Sequence, residues 1–110
     1  MNTLVNKVQL IGRLGNDPKV QEFNNVKRAA INLATNEVYK NAKGERVQNT
    51  TWHNVVAWRK TADLIEKLCK KGKEVAIEGK LVQRSYTDKN DQKKFVTEIV
   101  ATKMVLLGSK

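Results

Sequence analysis

The sequence predicts an all-β domain of five strands and one short helix, closed as a barrel. Three observations carry that expectation. Apolar residues alternate with polar ones over several long segments, the signature of half-buried strands. The period changes once, between Arg59 and Lys71, to that of a helix. Turn signals rich in Gly, Asn and Asp separate the segments, with a single proline in 110 residues.

Leu4 to Leu14 alternates, placing Leu4, Val8, Leu10 and Leu14 on one face and Lys7, Gln9 and Arg13 on the other. Gly15-Asn16-Asp17-Pro18 is a turn, followed by a short apolar piece around Val20 to Phe23 and the Asn24-Asn25 turn. Lys27 to Val38 is the second strand, with Ile31 and Leu33 directed one way, and Asn41 to Glu45 is a polar loop. Thr51 to Trp58 is the third strand. Between Arg59 and Lys71, Ala62, Ile65, Leu68 and Cys69 make one helical face; Gly72 suits its end, and Lys70 and Lys71 suit the dipole of its last turn. Glu74 to Tyr86 is the fourth strand, with Val75, Ile77 and Leu81 toward the core. Asp88 to Lys93 is a loop and Lys94 to Leu107 the fifth strand. Three strands, a helix and two strands is the order of the five-stranded oligonucleotide-binding barrel, one domain over residues 1–110. Several strands exceed the usual length, which a barrel accommodates by bending them; pattern alone also admits an open α+β sandwich.

Charge speaks to partners. Lys and Arg number 21 against 11 Asp and Glu, a net +10 that favours a polyanion. Nucleic acid comes first. An anionic membrane fares badly, since no apolar run approaches the roughly 18–20 residues of a spanning helix and the start Met1 to Lys7 is too polar for a signal. The single Cys69 excludes an intrachain disulfide, reads as a small apolar helix residue, and fits a reducing cytosolic compartment. One His and one Cys leave no thiolate zinc site, and no glycine-rich phosphate loop follows a strand, so neither metal, cofactor nor enzyme activity is expected. Asp88 and Asp91 read as a solvated turn rather than a cation site.

The strongest signal lies in the third and fourth strands. Trp52, Asn54, Val56 and Trp58 share one face; His53, Val55 and Ala57 share the other. Six residues separate the tryptophans, roughly 20 Å along a strand, room for several unstacked bases. In the fourth strand Lys80, Val82, Arg84 and Tyr86 lie opposite the core face. Aromatics to stack bases and cations to follow phosphates are what a single strand requires. Taken singly, a Trp reads as core and a charged strand face as solvated; their joint occurrence with the net charge favours binding. Phe23 and Phe95 read as packing residues. Tyr39 falls on the Ile31 and Leu33 face, so a bulge or the strand end must turn it if it is to meet a base.

These residues resemble the bacterial single-stranded-DNA-binding protein family. Val5-Asn6-Lys7-Val8, Ile11-Gly12 and Leu14 to Pro18 are similar to its first strand and turn. Asn32 to Glu37 is similar to its second strand and Trp52 to Val56 to its third. Lys70-Lys71-Gly72 and Ile77 to Leu81 are similar to its helix end and fourth strand. The match spans nearly the whole chain in order. The resemblance implies a homotetramer that wraps single-stranded DNA in replication, repair and recombination, in the cytoplasm at the nucleoid. It implies stacking by Tyr39, Trp52, Trp58 and Tyr86 and phosphate contacts from Lys43, Lys60, Lys71 and Arg84. Asn54 stands where the family often carries Arg. His53 would sit near a subunit interface, and the first strand, with Val5 and Lys7, offers a further edge for assembly. Family members usually continue into a linker with an acidic tip that recruits genome-maintenance proteins; this sequence stops at Gly108-Ser109-Lys110 without one, as a shortened piece or a short form would. The rivals are a primosome-type or RNA-binding barrel, a protein-binding scaffold and an enzyme.

Overall fold

A computed structural model describes residues 5–108. The elements are β1 (Val8–Leu14), β2 (Lys19–Phe23), β3 (Val26–Lys40), β4 (Arg46–Trp58), α1 (Arg59–Leu68), β5 (Glu74–Thr87) and β6 (Lys93–Leu106). The strands run in the order β1-β5-β6-β4-β3-β2, and an additional β1–β3 pairing closes five of them into a barrel. All neighbours are antiparallel except β4 and β6, which meet in parallel at Val55↔Ile99 and Val56↔Val100. The barrel confirms the predicted fold and removes the open sandwich.

The strand count differs by one. The piece around Val20 to Phe23 is itself a strand, paired along β3 from Lys19↔Ala30 to Phe23↔Val26 through an Asn24-Asn25 turn with both residues at positive φ. β1 and β2 thus behave as one long strand broken by Gly15–Pro18. Those four residues stand opposite only Ile31 and Asn32, because Leu14 pairs Leu33 and Lys19 pairs Ala30. The excess is absorbed by side chains: Asn16 Oδ1 accepts the Asn32 N–H at 3.1 Å, and Asp17 Oδ1 accepts the Lys71 N–H at 2.8 Å. β1 starts at Val8; Leu4 lies outside the described residues, and Asn6 ends the β1–β5 ladder by exchanging two side-chain hydrogen bonds of 3.0 Å with Leu81.

The core fills the barrel from alternate positions. Leu14, Ile31, Leu33, Val55, Val75 and Ile77 are all 3% exposed or less. The helix closes one end with Ala62 and Ile65, followed by buried Cys69. Lys27 of β3 anchors it, reaching Asp63 at 3.0 Å and Glu66 on the same helix. Close strand crossings need glycine: a Cβ on Gly12 would come within 2.9 Å of the Ala34 carbonyl carbon, and one on Gly79 within 2.9 Å of the Val100 carbonyl carbon.

Four sequence expectations fail at the ends of elements. Leu68 is 47% exposed, because the contact with the barrel takes a narrower helical face than the apolar pattern offers. The helix stops at Leu68, so Lys70 and Lys71 lie beyond it and Lys67 occupies its last turn. Gly72, at φ 87°, shapes the connection to β5 rather than the helix end, which Cys69 forms in extended conformation. Leu81 is 49% exposed, since it sits at the barrel rim rather than inside. Beyond that rim the paired ends of β3–β4 and β5–β6 continue as two ribbons with both faces largely exposed, which accounts for strands of 13 to 15 residues.

Candidate nucleic-acid interface

The register defines a continuous outer face across four strands. In β3–β4, Arg28↔Trp58, Ala30↔Val56, Asn32↔Asn54 and Ala34↔Trp52 pair without a bulge. Val56 pairs Val100 of β6, which pairs Lys80 of β5; along the same ladder Val82↔Glu98, Arg84↔Val96 and Tyr86↔Lys94 follow. Successive side chains alternate between faces, so all these even-numbered residues look outward together. Val56 is nonetheless buried, and with Ala30 and Val100 it forms a small apolar floor.

Six of the predicted nucleic-acid residues therefore come together: Trp52, Asn54, Trp58, Lys80, Arg84 and Tyr86. The aromatics are open, Trp52 at 60%, Trp58 at 40% and Tyr86 at 48% exposure. Trp52 lies across Gly15, where no side chain lifts it; a Cβ there would reach 2.8 Å from Cη2 of the ring and closer still to Cζ3. Trp58 is the residue before the helix, and Arg59 makes the reversal in the left-handed region at φ 59°. This leaves the indole at the rim, with the Arg28 guanidinium 5.8 Å from its ring centroid.

The remaining predicted residues lie elsewhere. Tyr39, 49% exposed, pairs Val47 in an unbroken ladder, so no bulge turns it to the Trp52 face; it sits on the opposite side of the β3–β4 ribbon. Lys43 is at the tip of that ribbon, its N–H held by Asn41 Oδ1 at 2.9 Å. Lys60 opens the helix and is exposed; Lys71 is exposed beside the β1–β2 break through its bond to Asp17. His53 is half-buried on the inner face, its Nε2 3.0 Å from Thr35 Oγ1. Val5 is 79% exposed and Lys7 pairs Glu78 at 3.7 Å.

Two residues taken for packing are not. Phe23 is 50% exposed and Phe95 62%, because β2 lies on the outermost strand and Phe95 is on a ribbon beyond the barrel. Phe23 lines one cleft with Arg28, Trp58, Arg84 and Glu98. Arg28 and Glu98 escaped the sequence reading. Parity on β3 and β6 would have flagged them, but only once the pairing of those strands was known. Cys69 is buried, and burial pushes its thiol up, as befits a packing residue. Asp88 Oδ1 accepts the N–H groups of Asn90 and Gln92, the solvated turn expected.

Among the described residues no helix is long and apolar enough to cross a membrane, and no cluster of three His, Cys, Asp or Glu residues could hold a metal. Comparison with known proteins agrees with the geometry. A single-stranded DNA-binding protein 1 of Chlorobaculum tepidum is 46% identical over 108 residues, covering 96% of this chain and 67% of that protein. A single-stranded DNA-binding protein of Neisseria meningitidis is 38% identical over 96% of this chain, which spans only 62% of that relative's length. Among solved structures, a chain of a Plasmodium falciparum SSB complex with ssDNA superposes with a TM-score of 0.86 at 34% identity, covering 98% of this chain and all of that one. The model of the single-strand binding protein family matches residues 5–107, and the chain belongs to that family.

Proposed function

We propose that this chain binds single-stranded DNA without reading its sequence, laying the strand across the outer face of β3, β4, β6 and β5. The observation that carries the reading is the collection of Trp52, Trp58 and Tyr86 with Lys80 and Arg84 on that one face. Bases stack on the rings, about 1–3 kcal/mol each, and cations follow the backbone. Ring faces and backbone charge are common to every nucleotide, so this kind of contact is indifferent to sequence. Lys43, Lys60 and Lys71 extend the basic track, and Tyr39 offers a stacking surface on the far side of the β3–β4 ribbon. The role is protection of single strands in replication, repair and recombination, in the cytoplasm at the nucleoid, by binding and not by catalysis.

The binding unit is a homotetramer. Away from the DNA face, β1, β5 and β6 present an apolar patch of Ile11, Ala76 and Val105 flanked by Gln9, Glu78 and Lys103, a surface suited to a second copy. Lys7, paired with Glu78, borders that patch, and Val5 and the His53 side of β4 are further contact points for assembly. In longer forms an acidic tail would recruit genome-maintenance proteins.

The test is a tryptophan-fluorescence titration with oligothymidine at two salt concentrations, with duplex DNA and RNA as competitors. Quenching with affinity that falls as salt rises is expected, through release of counterions. Affinity for duplex equal to that for the single strand overturns the reading; preference for RNA replaces the substrate.

A further inference from the structure

Glu98 is out of place on a surface meant for a polyanion. Among the described residues it is the one buried charged side chain, yet it stands on the outer face between Trp58 and Arg84. A carboxylate there repels phosphate and stacks no base. What it does contact is specific. Its Oε1 accepts the Arg84 Nε–H at 3.0 Å, and its Oε2 faces Arg28 Nη2 at 3.9 Å. Arg28 in turn lies over Trp58, its direct partner across the strands. Phe23 lines the same cleft, half exposed.

We infer that Phe23, Arg28, Trp58, Arg84 and Glu98 form one nucleotide subsite, in which Glu98 is the positioning residue for both guanidiniums. The inference rests on the single-strand reading above and adds Phe23 and Arg28 to it. Glu98 engages Arg84 through Nε alone, and no hydrogen bond among the described residues occupies the two Nη groups, so four of five N–H donors remain for a phosphate. The same carboxylate draws Arg28 across the indole and fixes that ring while 40% of the residue stays open. Without the negative charge, two like-charged guanidiniums would separate and the ring would lose its support.

Glu98→Gln separates this role from simple repulsion. If Glu98 were only an unfavourable charge, the variant would bind oligothymidine more tightly at low salt. Positioning gives the opposite result: affinity falls about 10-fold. In a Trp52→Phe background, where Trp58 alone reports, quenching at saturation also falls. In a Trp58→Phe background the Trp52 signal at saturation is unchanged. Arg28→Ala reproduces the loss of Trp58 quenching. Phe23→Ala lowers affinity about 5-fold or more with an unchanged salt slope, as loss of stacking does. That variant alters an exposed side chain and decides the subsite should Glu98→Gln lose its cooperative melt. Equal or tighter binding by a folded Glu98→Gln, or full affinity in Phe23→Ala, overturns the subsite alone. A wild-type chain that fails to bind oligothymidine overturns the function and the subsite with it.

Discussion

Replacing Gly15 by alanine tests whether the position of one ring sets affinity independently of stability. Gly15 has no positive φ, so alanine meets no backbone penalty there. Restricting the unfolded chain even favours it by about 0.4–1 kcal/mol. The added Cβ falls 2.8 Å from Trp52 Cη2. Ordinary carbon contacts lie at about 3.5–4.0 Å and Cζ3 is closer still, so the ring must move by about 1–2 Å. It has room to do so, being 60% exposed. Gly12→Ala is the contrast, since its Cβ would meet the backbone of Ala34, which cannot swing aside. Overpacking of that kind costs about 1–3 kcal/mol or more. At about 4–8 °C per kcal/mol, Gly12→Ala should melt at least about 4 °C lower, while Gly15→Ala stays near or slightly above wild type. Binding should show the reverse. Losing the Trp52 stack costs up to about 1–3 kcal/mol, an affinity loss of up to about 5- to 160-fold. Circular-dichroism melts and oligothymidine titrations measure both. If Gly15→Ala melts as low as Gly12→Ala, the ring is structural. If it changes neither melting nor affinity, Trp52 does not hold a base in the position described.

The two faces of β4 should respond oppositely. Trp58→Ala weakens oligothymidine binding by about 1–3 kcal/mol with little change in melting, whereas Val55→Ala opens a core cavity and lowers melting with affinity retained. Unfolding of Trp58→Ala would invert the assignment. Sedimentation equilibrium at micromolar protein should give about four times the 12.5 kDa chain mass, and a clean monomer would refute the assembly. Acid stability should depend on the helix anchor. Hydrogen bonds from Lys27 and then Lys67 hold the Asp63 carboxyl below the usual carboxylate range. A depressed native pKa gives stability that is present above the ordinary value near 3.8 and lost as pH falls through the native one. Lys27→Met should therefore flatten the decline of melting temperature below about pH 4, and an unchanged acid limb would exclude the linkage.

The faces were legible in the sequence because a strand has only two. The period of two separates Trp58 from Val55 with no knowledge of neighbours, and a contiguous ladder preserves the division. What escaped depends on pairing or on where an element leaves the body of the fold. Arg28 acquires meaning only opposite Trp58, and Glu98 only beside Arg84, contacts made across 30 and 14 residues of sequence. Leu81 and Phe95 sit on the apolar parity, yet the barrel ends beneath them and nothing covers them. Val20 to Phe23 was visible as an apolar piece, but its strand character comes from β3, long enough to pair with β1, β2 and β4.

Barrel closure has a consequence for how the chain comes to be folded. The β3–β4 and β5–β6 pairs are adjacent in sequence, and such hairpins form in about 1–10 μs. β1 can meet β3 early at only two positions, Arg13↔Ala34 and Leu14↔Leu33. Its other six partners lie on β5, from Arg13↔Glu74 to Val8↔Gly79. Each of those pairings spans more than sixty residues, so on a ribosome adding about 5–20 residues per second β1 waits several seconds for its partner to be made. In that interval Leu10 and Leu14 have no barrel to enter, and the strand offers an unsatisfied edge to any other nascent chain. The first strand synthesised is thus among the last protected, and amide exchange during synthesis would find it open when the β3–β4 hairpin is already closed.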